Sequence, residues 1–273
     1  MTLLSKLKHR TVDRARWRLG KAKKAYIRQI GSRVNTRRDS ATGLLFQKAF
    51  GHKVFLKSRR DYLDPSLLQW LCRDIYFKFY EPSGRDVVVD VGAGYGHEAF
   101  YLLHQSKELR YFGIEVQPSV YESLCNSFRS VSGQCRAIGY AVAEGTDSVH
   151  ISSAENYTTA STVEAGYIEV PALSWNRLLA RYGIDQIDLL KVNIEGAERL
   201  LLPAIGNMDR ISRVIISAHD FRADLGEGEQ FRTREFVKSY LLAQGYRVSS
   251  VNDKDPWLRN WLYADRNASG NDR

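Results

Sequence analysis

Apolar residues in this chain come in short unbroken runs, each followed by polar or glycine residues and then by a helical repeat. Val87-Val88-Val89-Asp90-Val91 runs into Gly92-Ala93-Gly94-Tyr95-Gly96, and His97 to Leu103 then starts a helix. Continuous runs of this kind predict strands covered on both faces, as in parallel sheets. Further runs span Arg110 to Glu115, Cys135 to Ala143, Ile187 to Val192 and Ile211 to Ala218. Between them lie helical repeats. Leu67, Leu68, Leu71, Ile75 and Phe79 form one apolar face behind Asp64-Pro65-Ser66. Pro118 opens a helix through Val120, Tyr121, Leu124 and Phe128, Leu173 to Tyr182 stops at Gly183, and another helix covers Arg232 to Gln244. Short strands at Leu44 to Phe46 and Lys53 to Leu56 precede the main run. Others at Val149 to Ile151 and Ile168 to Val170 flank a polar loop, Thr158 to Thr162, and two late strands lie near Tyr246 to Val251 and Trp257 to Ala264. Strands alternating with helices predict an α/β, doubly wound, Rossmann-like sheet with an antiparallel edge.

In such a sheet the ligand lies outside the carboxyl ends of the strands, where strand order reverses. That rule selects Asp90, Gly92, Gly94, Gly96, Glu115, Ala141, Val142, Asn193, Glu195, His219 and Asp220. A glycine turn between strand and helix lets backbone approach a ligand with no side chain in the way. Its third glycine comes one residue earlier than in the G-x-G-x-x-G pyrophosphate fingerprint, and no Tyr-x-x-x-Lys pair of a short-chain reductase is present. A nicotinamide cofactor is therefore not expected. Glu115, at the end of the next strand, stands where an acidic residue binds ribose hydroxyls.

Asp90-x-Gly92-x-Gly94-x-Gly96 resembles the first motif of class I S-adenosylmethionine-dependent methyltransferases. Added to it, Gly113-Ile-Glu115-Val-Gln-Pro118, Tyr140-Ala141-Val142, Ile168-Glu-Val-Pro171 and Asp188-Leu-Leu-Lys191-Val-Asn193-Ile-Glu195-Gly196-Ala-Glu198 resemble the FkbM-type methyltransferases. The resemblance implies S-adenosylmethionine bound by Asp90, Gly92, Ala93, Gly94, Gly96, Glu115, Ala141 and Val142. It also implies methyl transfer to a hydroxyl of a sugar, glycan or related metabolite. Two positions depart from the family pattern: Asn193 and Asn176 stand where aspartate is common, and an amide cannot act as a carboxylate base. An alcohol acceptor needs its proton removed near attack. His219, Glu195 and Asn193 are the expected catalytic set, with the neutral His219 imidazole as proton acceptor near pH 7. Lys191, inside an apolar strand, needs a partner if buried, and Glu195 or Glu198 is expected to supply it.

Charge divides the chain. Residues 1–60 carry 18 Lys and Arg against Asp13 and Asp39, a balance of +16; the whole chain carries +9, so residues 61–273 carry −7. The expected organisation is a basic, largely helical arm over 1–60 and a methyltransferase domain over 61–273. Gly31 and Asn35 to Ser40 read as the end of the arm's helix and a linker. Val12, Ala15, Leu19, Ala22 and Tyr26 make one apolar stripe within that arm. A stripe flanked by Lys and Arg suits the chain's own domain, a second subunit or an anionic membrane surface. The Asn/Asp-Pro-Pro-Tyr signature of base methylation is absent, so nucleic acid is not the expected acceptor. Cys72, Cys125 and Cys135 form no C-x-x-C pair, which speaks against a disulfide framework or a structural zinc and for a reducing, cytoplasmic setting. Full-length protein is expected to sediment with anionic vesicles at low salt and to lose them near 1 M salt, where the Debye length is about 3 Å. A chain starting at Asp61 should bind cofactor and stay in the supernatant; equal sedimentation of both chains would rule out recruitment by the arm.

Overall fold

The computed structural model describes residues 31–152, 167–251 and 255–266. The arm's stripe and the loop from Thr158 to Thr162 lie outside them. Thirteen strands are described: β1 (Thr36–Arg38), β2 (Leu45–Ala49), β3 (His52–Leu56), β4 (Val87–Val91), β5 (Arg110–Ile114), β6 (Cys135–Ile138), β7 (Ala141–Val142), β8 (Ser148–Ser152), β9 (Tyr167–Leu173), β10 (Ile187–Val192), β11 (Ile211–Ser217), β12 (Arg247–Ser250) and β13 (Trp261–Asp265). The central sheet has the order β12-β13-β11-β10-β4-β5-β6, with β13 antiparallel to both neighbours. From β4 the chain moves outward through β5 to β6, then crosses back to β10 on the other side. The order therefore reverses between β4 and β10, which is where the doubly wound rule places a ligand.

Alternation along the strands splits the core into two layers. Val88, Tyr111, Leu189 and Ile215 face one side, together with Phe100, Leu124 and Trp261. Val89, Val91, Phe112, Leu190, Val192, Val214 and Ile216 face the other, with Leu178, Leu202 and Leu241. Each fully buried Val, Leu or Ile contributes about 1.5–3 kcal/mol, so these central strands are held by apolar burial and their ends are free to carry polar chemistry. Helices α1 (Pro65–Trp70), α2 (His97–Gln105) and α3 (Pro118–Phe128) cover the first face. The second is covered by α4 (Trp175–Tyr182), α5 (Glu198–Ile205) and α7 (Arg234–Ala243). Between the last two comes the short α6 (Asp220–Asp224), and α8 (Pro256–Arg259) precedes β13. Among the described residues no helix is long and apolar enough to cross a membrane.

Several boundaries differ from the sequence reading. Within the stretch Asn35 to Ser40, expected as a linker, Thr36–Arg38 form strand β1 instead, and it joins the expected strands β2 and β3 in an antiparallel meander. It docks on α3 through a hydrogen bond from the Phe55 amide to Ser127 Oγ (2.9 Å), and its Val54 and Leu56 share the first core layer. The run from Cys135 to Ala143 is two strands, because after Ile138 the chain leaves the central sheet and β7 pairs with β9. α1 continues into a wider turn over Leu71–Tyr76, closed by Phe77 N to Cys72 O (2.9 Å). Leu68, Leu71 and Ile75 are buried, while Leu67, before the widening, and Phe79, after it, point outward. Residues 256–259 are helical because Asp255 caps the Trp257 amide (2.9 Å) and Pro256 occupies the first position. The late strand starts only at Trp261.

Candidate active site

The glycine turn is shaped by what it touches. Gly92 has φ +84°, and a Cβ there would lie 2.1 Å from the backbone oxygen of Asn193. Gly96 has φ +82°, and a Cβ there would lie 2.6 Å from the Phe128 ring. Any side chain at either position would push β10 or α3 away from β4. The amides of Gly92 and Ala93 donate to Ile114 O (2.9 and 3.0 Å), and Gly94 N donates to Glu115 Oε2 (3.1 Å). Glu115 Oε1 accepts from Gln117 N (2.9 Å). Burial raises the Glu115 pKa, and those backbone donors work against the rise. Glu115 is thus built into the turn as well as lying at the expected ribose position.

Asp90 and Lys191 pair across adjacent strands, directly beneath this turn. Lys191 Nζ lies 2.9 Å from Asp90 Oδ1 and 3.8 Å from Glu98, and Tyr111 donates its hydroxyl to Asp90 Oδ2. Asp90 is fully buried and Lys191 is 1% exposed. Burial works against the Lys191 charge, but Asp90 and Glu98 outweigh it and hold the ammonium above its usual range. The expected partners Glu195 and Glu198 are therefore not the ones used. Asp90 faces Lys191 and Tyr111 rather than a ligand, so it supports the turn from below. The signal was alternation: Asp90 and Lys191 both fall on the inward side of neighbouring strands.

One residue beyond β10, Asn193 is half-buried, and its side chain makes no hydrogen bond among the described residues. Glu195 has φ +55°, a left-handed conformation uncommon for a non-glycine residue. Its Oε2 accepts from Arg222 Nη1 (3.2 Å) and lies 3.6 Å from His219 Nε2. Glu198 Oε1 lies 2.8 Å from His219 Nδ1 and also accepts from Gly196 N (3.2 Å). The Arg222 guanidinium, 3.8 Å from the Phe231 ring centroid, also reaches Glu227 (2.7 Å). Burial would lower the His219 pKa, but the hydrogen bonds and charges of Glu195 and Glu198 outweigh it and push it up to about 9. At pH 7 His219 is a cation, 1% exposed, and cannot take a proton. The expectation of a neutral His219 base is corrected on that ground. Asp220 is also engaged, accepting the Arg234 amide (2.8 Å). Arg222 was not singled out from sequence; its signal was position, one helical turn after the end of β11.

Ala141 and Val142, both half-buried, lie on β7, outside the central sheet. Nothing in their contacts selects a ligand, and they enter the site through position alone. The cradle nonetheless fits the expected cofactor: the turn excludes side chains at Gly92 and Gly96, and Glu115 stands at its rim. Glu115→Ala should weaken binding of S-adenosylhomocysteine by about 1.5–3 kcal/mol, the range for hydrogen bonds to a charged group. Because Glu115 also holds Gly94 and Gln117, the melting temperature should fall too. Unchanged affinity by calorimetry would remove Glu115 from the cofactor site.

The profile described as Methyltransferase FkbM domain matches residues 90–248 of this chain, more than half its length. No curated protein matches it in sequence. Among solved structures, the chain is similar to the METTL16 methyltransferase domain, with TM-score 0.49 and 10% identity over 89% of this chain and 91% of that one. It is also similar to precorrin-6y C5,15-methyltransferase from Geobacter metallireducens GS-15, with TM-score 0.45 and 11% identity over 77% and 90% of the two chains. A third is M. capricolum TrmK in complex with S-adenosylhomocysteine, with TM-score 0.40 and 12% identity over 73% and 67%.

Proposed function

Because the chain belongs to the FkbM methyltransferase domain family, we propose that this S-adenosylmethionine-dependent methyltransferase acts on a hydroxyl of a sugar, glycan or related metabolite, with Glu195 taking the proton. S-adenosylmethionine, when bound, supplies a methyl group activated by its sulfonium. The residues fitted to hold it are the turn from Gly92 to Gly96 and Glu115.

One observation carries the reading: Glu195 Oε2 is held by Arg222 and faces His219, while Oε1 makes no hydrogen bond among the described residues. A carboxylate fixed through one oxygen can accept a hydroxyl proton through the other. His219, protonated between Glu195 and Glu198, offsets their negative charge and fixes their spacing. Asn193 follows directly on the strand beside the glycine turn; its amide can hold the acceptor hydroxyl but cannot deprotonate it. The arrangement thus separates three tasks along one edge: cofactor at β4 and β5, hydroxyl at Asn193, proton at Glu195. A cytoplasmic location, with the basic arm at an anionic surface, belongs to the same proposal; contact between two copies through the arm's stripe is the alternative to that surface.

The test is transfer of labelled methyl from S-adenosylmethionine to a panel of hydroxylated glycans, lipid-linked glycans and RNA. Label in a base-stable methyl ether of a glycan is expected. Label confined to RNA would overturn the acceptor class, and cofactor binding without transfer to any member would favour a binding module.

A further inference from the structure

We propose a second ligand site, remote from the catalytic edge: a cleft formed by Arg110, Arg136 and Arg181 that binds the phosphate of a small phosphorylated molecule. The cleft has a volume of about 420 Å³ and lies at the amino ends of β5 and β6, against the last turn of α4. Phe112, Gln134 and Tyr182 contribute to its wall, and among the described residues no acidic side chain lines it. Its volume falls within the range of about 300–1,000 Å³ typical of small-molecule sites.

The charge in this cleft is out of keeping with its surroundings. Residues 61–273 carry −7, and many of the domain's arginines are matched, among them Arg177 with Asp147, Arg213 with Asp265, Arg222 with Glu195, Arg232 with Asp224 and Arg266 with Asp209. Among the described residues Arg129, Arg199, Arg210, Arg247 and Arg259 are not, but none of these lines the cleft. Arg110, Arg136 and Arg181 have no carboxylate partner among the described residues. Three like charges around a concavity repel one another and focus a positive field there. An anion removes that repulsion.

Two of the three guanidinium groups are already oriented. Arg110 lies 5.2 Å from the Phe112 ring centroid and donates to Gly183 O (3.5 Å). Arg181 lies 5.3 Å from the Tyr140 ring centroid. A cation–π contact restrains each side chain while N–H groups of the guanidinium remain able to donate, and its fork matches two phosphate oxygens at once. Less side-chain freedom is then lost when an anion arrives. Arg110 begins β5 and Glu115 follows its end, so the cleft is about 17 Å from the cofactor cradle at about 3.3 Å per residue. A phosphate held there is out of reach of Glu195. The site is therefore one for a separate ligand and takes no part in the transfer itself.

The experiment is calorimetric titration of the full chain with inorganic pyrophosphate, comparing wild type with Arg110→Gln/Arg136→Gln/Arg181→Gln. The basic arm is present in both, so its own contribution cancels in the comparison. Pyrophosphate affinity is expected to fall by about tenfold or more, while S-adenosylhomocysteine affinity stays the same. Equal pyrophosphate affinity in the two proteins overturns the site. So does loss of a single-stranded RNA oligonucleotide in the variant with no change for pyrophosphate, which would make the cleft a nucleic-acid contact. Should the triple variant lose S-adenosylhomocysteine binding as well, Arg136→Gln alone decides: weaker pyrophosphate binding supports the site, and unchanged binding overturns it.

Discussion

Lys191→Met is expected to cost about 3–5 kcal/mol of folding stability, because it leaves the Asp90 carboxylate buried with no cation. Asp90 is fully buried, so water cannot replace the ammonium now 2.9 Å away. Part of the cost will appear as proton uptake, since burial already favours the neutral carboxyl and Lys191 opposes that. The effect should reach the cofactor site, because the pair lies two residues before Gly92 and Asn193 on their strands. Denaturant unfolding at pH 7 measures the loss. The double variant Asp90→Asn/Lys191→Met should recover most of it: no charge is left buried, and the amide oxygen can still accept from Tyr111. A single variant within about 1 kcal/mol of wild type, or a double variant no better than the single, would show that this pair does not hold the turn.

Glu195→Gln should lower turnover by about 10²–10⁴-fold, the usual loss when a positioned base is removed, and should leave S-adenosylhomocysteine affinity nearly unchanged. The pH profile separates this assignment from a His219 base. His219 has a folded pKa of about 9 against an ordinary 6.5. A raised pKa means that the stabilisation it brings is complete below about pH 6.5 and is lost as pH rises through 9. Over that interval the loss amounts to about 3 kcal/mol at 1.36 kcal/mol per unit. If protonated His219 holds Glu195 in place, stability falls between about pH 6.5 and 9 and levels off above, while activity falls as pH passes through 9. Activity that instead climbs through pH 9, or a His219→Gln enzyme that loses turnover while Glu195→Gln retains it, would return the base role to the histidine.

The charge switch at His219 shows where sequence reasoning stops. A histidine at a strand end reads as a proton acceptor when its surroundings are unknown. The same residue between two carboxylates, 2.8 and 3.6 Å from its ring nitrogens, is a cation that positions others. Glu198 comes from the start of α5 and Glu195 from the turn before it, so no spacing within either segment reveals that both reach β11. Lys191 is the opposite case. That it needed an anion followed from its place in an apolar strand, but the choice of Asp90 over Glu195 and Glu198 depended on the parallel register between β4 and β10.

The sequence by itself determined the parallel core and its polar edge, because apolar strands followed by Gly92, Glu115, Asn193 and His219 admit few other arrangements. It also determined the glycine turn: only residues without a Cβ fit beside the Asn193 carbonyl and the Phe128 ring. Tertiary structure alone decided which charges meet. Protonation depends on the desolvation of a group and on the few atoms within about 4 Å of it, and those atoms come from segments far apart in the chain. The three unpaired arginines of the second cleft, drawn from β5, β6 and α4, became a single feature for the same reason.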